Sequence, residues 1–134
     1  MDHLSKETRS LLMSRIRTKH TSIEIRVRSL VHRMGFRFRL HRKDLPGSPD
    51  VVFPSRQKVI FINGCFWHGH TCRRGKLPAT NAAFWKEKIT GNQKRDAHNL
   101  AALKKLKWTA LVLWECDLLD ETNLKSRLAE FLKS

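Results

Sequence analysis

The sequence predicts a mixed α/β domain in which helices flank a small central sheet. Three observations predict it. Apolar residues recur at helical spacing near both ends of the chain. Apolar runs with strand character fill residues 36–62. A further apolar strand at 108–114 returns after a helical stretch, as helices covering one sheet require. The 134 residues are one domain's worth, and no linker divides them, so a single domain over residues 1–134 is expected.

The elements follow in order. Residues 5–19 read as a helix with Leu12, Met13 and Ile16 near one side and Arg9, Arg15, Arg17 and Lys19 around it. Thr21-Ser22-Ile23-Glu24 fits a capping box opening a second helix. Ile23, Val27, Leu30, Val31 and Met34 follow at helical spacing, and Gly35 is its stop. Phe36-Arg37-Phe38-Arg39-Leu40 alternates as a half-buried strand does. The cluster Leu45-Pro46-Gly47-Ser48-Pro49 is a turn. Asp50-Val51-Val52-Phe53 and Lys58-Val59-Ile60-Phe61-Ile62 read as central strands joined through a hairpin at Ser55-Arg56-Gln57. Residues 64–78 are irregular and rich in Cys, His, Gly and aromatics. Residues 82–88 and 91–106 read as two helices, and Leu124, Leu128, Phe131 and Leu132 place a final helix at the C-terminal end.

Composition narrows the function. Lys and Arg number 27 against 12 Asp and Glu, a formal net charge of +15. Such a field suits a polyanion, nucleic acid before an acidic membrane surface. No apolar run approaches the ~20 residues that span a bilayer, and the first residues lack the apolar core of an export signal. A cytoplasmic, reduced protein is therefore expected. Three cysteines cannot form a complete disulfide framework, which favours metal binding.

Cys65, His68, His70 and Cys72 crowd into one short loop, and Cys116 follows the last strand. Three Cys and one His make a four-ligand tetrahedral zinc set, a closed and therefore structural site. Spacing leaves His68 and His70 as equal candidates for the fourth ligand. The histidine left over is free for chemistry. Asp50 opens an apolar strand after a turn, which makes it a candidate hard-oxygen ligand for Mg²⁺.

The run Leu45-Pro46-Gly47-Ser48-Pro49-Asp50-Val51-Val52-Phe53, then Ile60 to Cys72 with its Gly-Cys-Phe-Trp-His block, then Pro78-Ala79-Thr80 and Phe84-Trp85, resembles the very short patch repair (Vsr) endonucleases. Thr8-Arg9-Ser10, Met13, Ile16, Glu24 and Val112-Leu113-Trp114-Glu115-Cys116 extend the resemblance over nearly the whole chain. It implies a fold related to type II restriction endonucleases. The implied activity is nicking of duplex DNA 5′ of the T in a T·G mismatch left by deamination of 5-methylcytosine. Asp50 and the Ile62 backbone carbonyl would bind Mg²⁺. His68 would be the general base, and Glu24 would join through water or orient His68. Cys65, His70, Cys72 and Cys116 would hold zinc. Phe66, Trp67 and Trp85 would stack into the DNA, with Met13 and Ile16 wedging from the minor groove on a DNA-contacting helix within residues 1–20.

Two positions depart from the family pattern. Asn63 stands where family members carry a His with a supporting role at the scissile phosphate; Asn can hydrogen-bond but has no cationic form. Ile62 replaces a Thr, a change that a backbone carbonyl contact survives. The expected enzyme is a monomer working on T·G duplex DNA, with mismatch-repair proteins as possible partners. The alternatives are a related nuclease of different DNA specificity, or a zinc-stabilised DNA-binding module with weak or no cleavage. Of the remaining histidines, His20 and His41 are assigned at most a phosphate contact, and His3, His32 and His98 no role.

Overall fold

The computed structural model describes residues 23–134. The expected helix at 5–19, the Thr21-Ser22 half of the capping box, Met13 and Ile16 lie outside the described residues.

Helix α1 is described over residues 23–33 and ends at Gly35, whose φ of +88° places it in the left-handed region that glycine enters without a Cβ penalty. The Gly35 amide donates to His32 O and the Phe36 amide to Val31 O, the paired bonds that close a helix C-terminus. The chain then forms β1 (Arg39–Leu40), β2 (Val51–Phe53), β3 (Lys58–Asn63), α2 (Ala82–Lys105), β4 (Thr109–Trp114) and α3 (Glu121–Lys133). The sheet order is β1-β2-β3-β4. The first two pairings are antiparallel, with Val51 opposite Ile60, and β3 runs parallel to β4, with Ile60 opposite Leu111. A parallel pair needs a long crossover, and α2 supplies it.

Both faces of the sheet are covered, which is why β2 is buried at every residue. Val51, Phe53, Ile60 and Leu113 pack with Val27, Val31, Leu124 and Leu128 from α1 and α3. Val52 and Val59 pack with Leu45 and Leu103, flanked by Phe61 and Trp108. The buried Lys58 ammonium donates to Phe131 O and to Ser134 O at 2.7 Å, capping the free carbonyls that end α3.

Two expected elements change. The helices expected at 82–88 and 91–106 are one helix, because Gly91 interrupts nothing: its surroundings are open, and a glycine inside a helix costs only about 1 kcal/mol. The strand expected at 36–40 shortens to Arg39–Leu40. Phe36 and Phe38 still pack against the core, but the Phe36 amide is spent closing α1. Among the described residues, no helix is long and apolar enough to cross a membrane.

Candidate active site and metal centres

The C-terminal end of β3 carries the site. Asp50, just before β2, reaches across the hairpin: its Oδ2 accepts the Ile62 amide at 2.8 Å. Burial pushes the Asp50 carboxyl up to about 6; the Ile62 amide opposes the rise and the Glu24 charge adds to it. Glu24 is 6% exposed and projects from α1. It accepts from Arg28 at 2.9 Å and meets His41 Nε2 at 3.1 Å. Ligand atoms of Glu24, His41 and Asp50 lie within 4.8 Å of one another.

Such a donor set fits a divalent cation. Two carboxylates crowded together away from solvent, Glu24 buried and Asp50 partly so, repel each other, and a cation relieves both their mutual repulsion and the raised Asp50 pKa. The Asp50 oxygen not held by Ile62 is a hard-oxygen donor of the kind a divalent cation accepts.

One residue further along β3 the second group begins. Asn63, Asp96 and His68 line a cleft of about 380 Å³ together with Gly69 and Trp114. His68 Nδ1 is bonded to Asp96 Oδ2 at 2.5 Å. That bond fixes the ring and, among the described residues, leaves Nε2 without a hydrogen-bond partner. The carboxylate on His68 is thus Asp96; Glu24 pairs with Arg28 and His41.

The loop carrying His68 is fastened twice. Along α2, Asn92 donates to Trp67 O at 2.9 Å, and Gln93 to His68 O at 3.2 Å. A Cβ at Gly69, whose φ is +62°, would press on Ile89 Cγ2 at 2.7 Å and on the Gln93 amide, so a side chain there would force both to shift. The other fastening is the cysteine cluster. Ligand atoms of Cys65, His70, Cys72 and Cys116 lie within 4.8 Å of one another. The Cys116 amide donates to Cys65 Sγ at 3.4 Å, and Cys116 Sγ lies 3.4 Å from His70 Nδ1. His70 stacks on Trp114, ring centroids 4.1 Å apart. Cys116 sits in a 3-10 turn (Glu115–Leu119) held by Asp117, which accepts the Trp114 amide at 2.7 Å. The donor chemistry and crowding fit a tetrahedral zinc. The thiols are unequal: burial pushes Cys65 up to about 12, while at Cys72 burial is outweighed by hydrogen bonds with His70 and Cys65, which bring it to about 6.

Beside this knot, Phe66, Trp67 and Trp85 form one aromatic group, with centroids 5.2 to 5.6 Å apart. Phe84, 57% exposed, extends it at 5.1 Å from Trp85. Lys88 lies over the Trp67 ring. The structure therefore gathers Phe66, Trp67 and Trp85, gathers the three cysteines with His70, places Asp50 with Glu24 and Ile62, and places Asn63 with His68. Asp96 and His41 are additions that the sequence reading did not place in the site. A weak signal for Asp96 existed in the polar spacing Asn92-Gln93-x-x-Asp96 on one helix face.

A basic α/β chain with a carboxylate–imidazole cluster beside a carboxylate-held histidine has the groups that chemistry on a polyanion can use. The family model described as DNA mismatch endonuclease Vsr matches residues 1–74. The chain is 43% identical over 132 residues to the DNA mismatch endonuclease Vsr of Escherichia coli strain K12, covering 95% of this chain and 85% of that one. It is 52% identical over 131 residues to the type II nicking enzyme V.XorIIP of Xanthomonas oryzae pv. oryzae, covering 98% and 96%. It is 39% identical over 132 residues to the type II nicking enzyme V.NmeAIP of Neisseria meningitidis, covering 98% and 94%. The chain belongs to the Vsr family of DNA endonucleases.

Proposed function

We propose that this protein is a Mg²⁺-dependent endonuclease that nicks duplex DNA 5′ of the T in a T·G mismatch. One observation carries the reading: consecutive residues of β3 join the two halves of the chemistry, Ile62 holding Asp50 while Asn63 lines the His68 cleft. Asp50 and the Ile62 carbonyl would hold Mg²⁺, with Glu24 beside them. When bound, the ion polarises the scissile phosphate and stabilises developing charge.

His68 takes the proton from the attacking water at Nε2, and Asp96 steadies the resulting imidazolium. Asn63 donates a hydrogen bond toward the scissile phosphate from its side-chain amide, with no proton to give. The zinc held by Cys65, His70, Cys72 and Cys116 would fix the loop that carries both His68 and the aromatic group. Phe66, Trp67 and Trp85 enter the stack beside the mismatch, where a weaker pair costs less to open. The +15 charge holds the phosphates and makes affinity fall steeply with salt. The relation to restriction endonucleases belongs to the same proposal, and the mixed β1–β4 sheet with helices on both faces is compatible with it. The protein would act as a monomer in the cytoplasm, in contact with the nucleoid, with mismatch-repair proteins as possible partners.

A second reading is favoured by the names of the relatives: a strand-nicking enzyme of the same chemistry with different sequence requirements.

The mechanism is tested at His68. His68→Ala should lower single-turnover nicking by about 10³-fold, and Asp96→Asn by about 10²-fold, with DNA affinity unchanged in both, since general-base catalysis contributes ~10²–10⁴. Full-rate nicking by His68→Ala excludes it as the base.

A further inference from the structure

We propose that His41 is a metal ligand, making Glu24, His41 and Asp50 a two-carboxylate, one-imidazole site that binds Mn²⁺ or Co²⁺ more tightly than the Mg²⁺ that supports nicking. The inference rests on Asp50 being a divalent-cation ligand and adds a third donor of different chemistry.

The geometry supports it in three ways. His41 Nε2 already lies 3.1 Å from a Glu24 oxygen, and all three donor atoms fall within one 4.8 Å cluster. The backbone ties His41 to the site as well: its amide donates to Asp50 O at 3.3 Å, one step beyond the last β1–β2 pair, Leu40 and Val51. His41 also holds φ at +50°, a left-handed conformation uncommon outside glycine. A side chain kept there while its backbone is bonded to Asp50 has a fixed approach to the carboxylates.

The ligand chemistry sets the preference. Mg²⁺ takes oxygen ligands and retains water, so an imidazole adds little to its binding. Imidazole suits transition cations, and affinity for a mixed nitrogen and oxygen site rises from Mn²⁺ to Co²⁺. The His41 side chain is 55% exposed, so solvent can exchange with an arriving ion. For Nε2 to ligate, its proton moves to Nδ1 or to water, and the hydrogen bond to Glu24 is replaced by a bond to the shared cation.

The test uses the zinc-loaded full chain, Mn²⁺ alone as probe, and pulsed electron paramagnetic resonance. Wild type should show one nitrogen bonded directly to Mn²⁺. His41→Asn, which tolerates left-handed backbone but is too short to ligate, should lose that coupling; His41→Gln serves as a second variant. Mn²⁺ affinity should fall about 10-fold in both, with Mg²⁺ affinity changed less than about threefold. A wild-type spectrum without bonded nitrogen overturns the proposal, as does a coupling that persists in folded His41→Asn. Asp50→Asn separates the two layers. Loss of Mn²⁺ binding there supports the underlying site, whereas retained binding removes Asp50 as a ligand and the proposal with it.

Discussion

Asp50→Ala is expected to lower single-turnover nicking by about 10³-fold or more, because a metal-held phosphate loses several kcal/mol of charge stabilisation and each ~1.4 kcal/mol is tenfold in rate. The size follows from position. Asp50 is the carboxylate tied directly to β3, and its Oδ2 is occupied by the Ile62 amide, which aims the other oxygen. Glu24 cannot take its place: it comes from α1 and is already shared between Arg28 and His41. DNA affinity should change little, since the +15 charge spreads phosphate contacts over the surface. Single-turnover rates on end-labelled duplex, alongside binding titrations at matched salt, check both halves. Cleavage within about threefold of wild type would remove Asp50 from the reaction.

Cys116→Ser is expected to release the zinc and destabilise the protein by about 3 kcal/mol or more, because metal-binding free energy at a structural site is folding free energy. Cys116 is the member of the cluster that lies outside the Cys65–Cys72 segment. Removing it detaches the loop from the turn after β4 and takes away one of the sulfur neighbours of His70, which stacks on Trp114. The same loop carries Phe66, Trp67 and His68, so nicking should fall with metal content. Elemental analysis should give one zinc per wild-type chain and well under one in the variant, with a lower Tm. Full zinc with unchanged melting contradicts Cys116 as a ligand.

What could be read from the sequence was local. Gly35 stopped α1 because a helix end needs a left-handed residue, and glycine supplies it. The cysteine and histidine cluster was visible because most of its ligands are close neighbours in the chain. The Pro-Asp turn and apolar β2 and β3 were legible from alternation and turn chemistry. The length of α2 was misread because Gly91 looks like a break, although long helices tolerate one glycine where nothing crowds it. The pairings of His68 with Asp96, 28 residues away, and of His41 with Glu24, 17 residues away, were illegible. Each depends on a contact between elements, and neither leaves a spacing in the sequence. The family resemblance supplied roles for Asp50 and His68 and set Ile62 beside Asp50, but it offered Glu24 to His68 where this chain places Asp96.

In the proposed mechanism a zinc-fastened aromatic loop and the Asp50 and His68 groups act together at a mismatch. Strand-resolved nicking of paired duplexes tests it most directly: T·G against T·A, across varied flanking pairs, with and without Mg²⁺. One Mg²⁺-dependent nick is expected, 5′ of the mismatched T, at least about 10²-fold faster than any cut in T·A. Equal nicking of T·A and T·G, or cleavage of both strands, would contradict it.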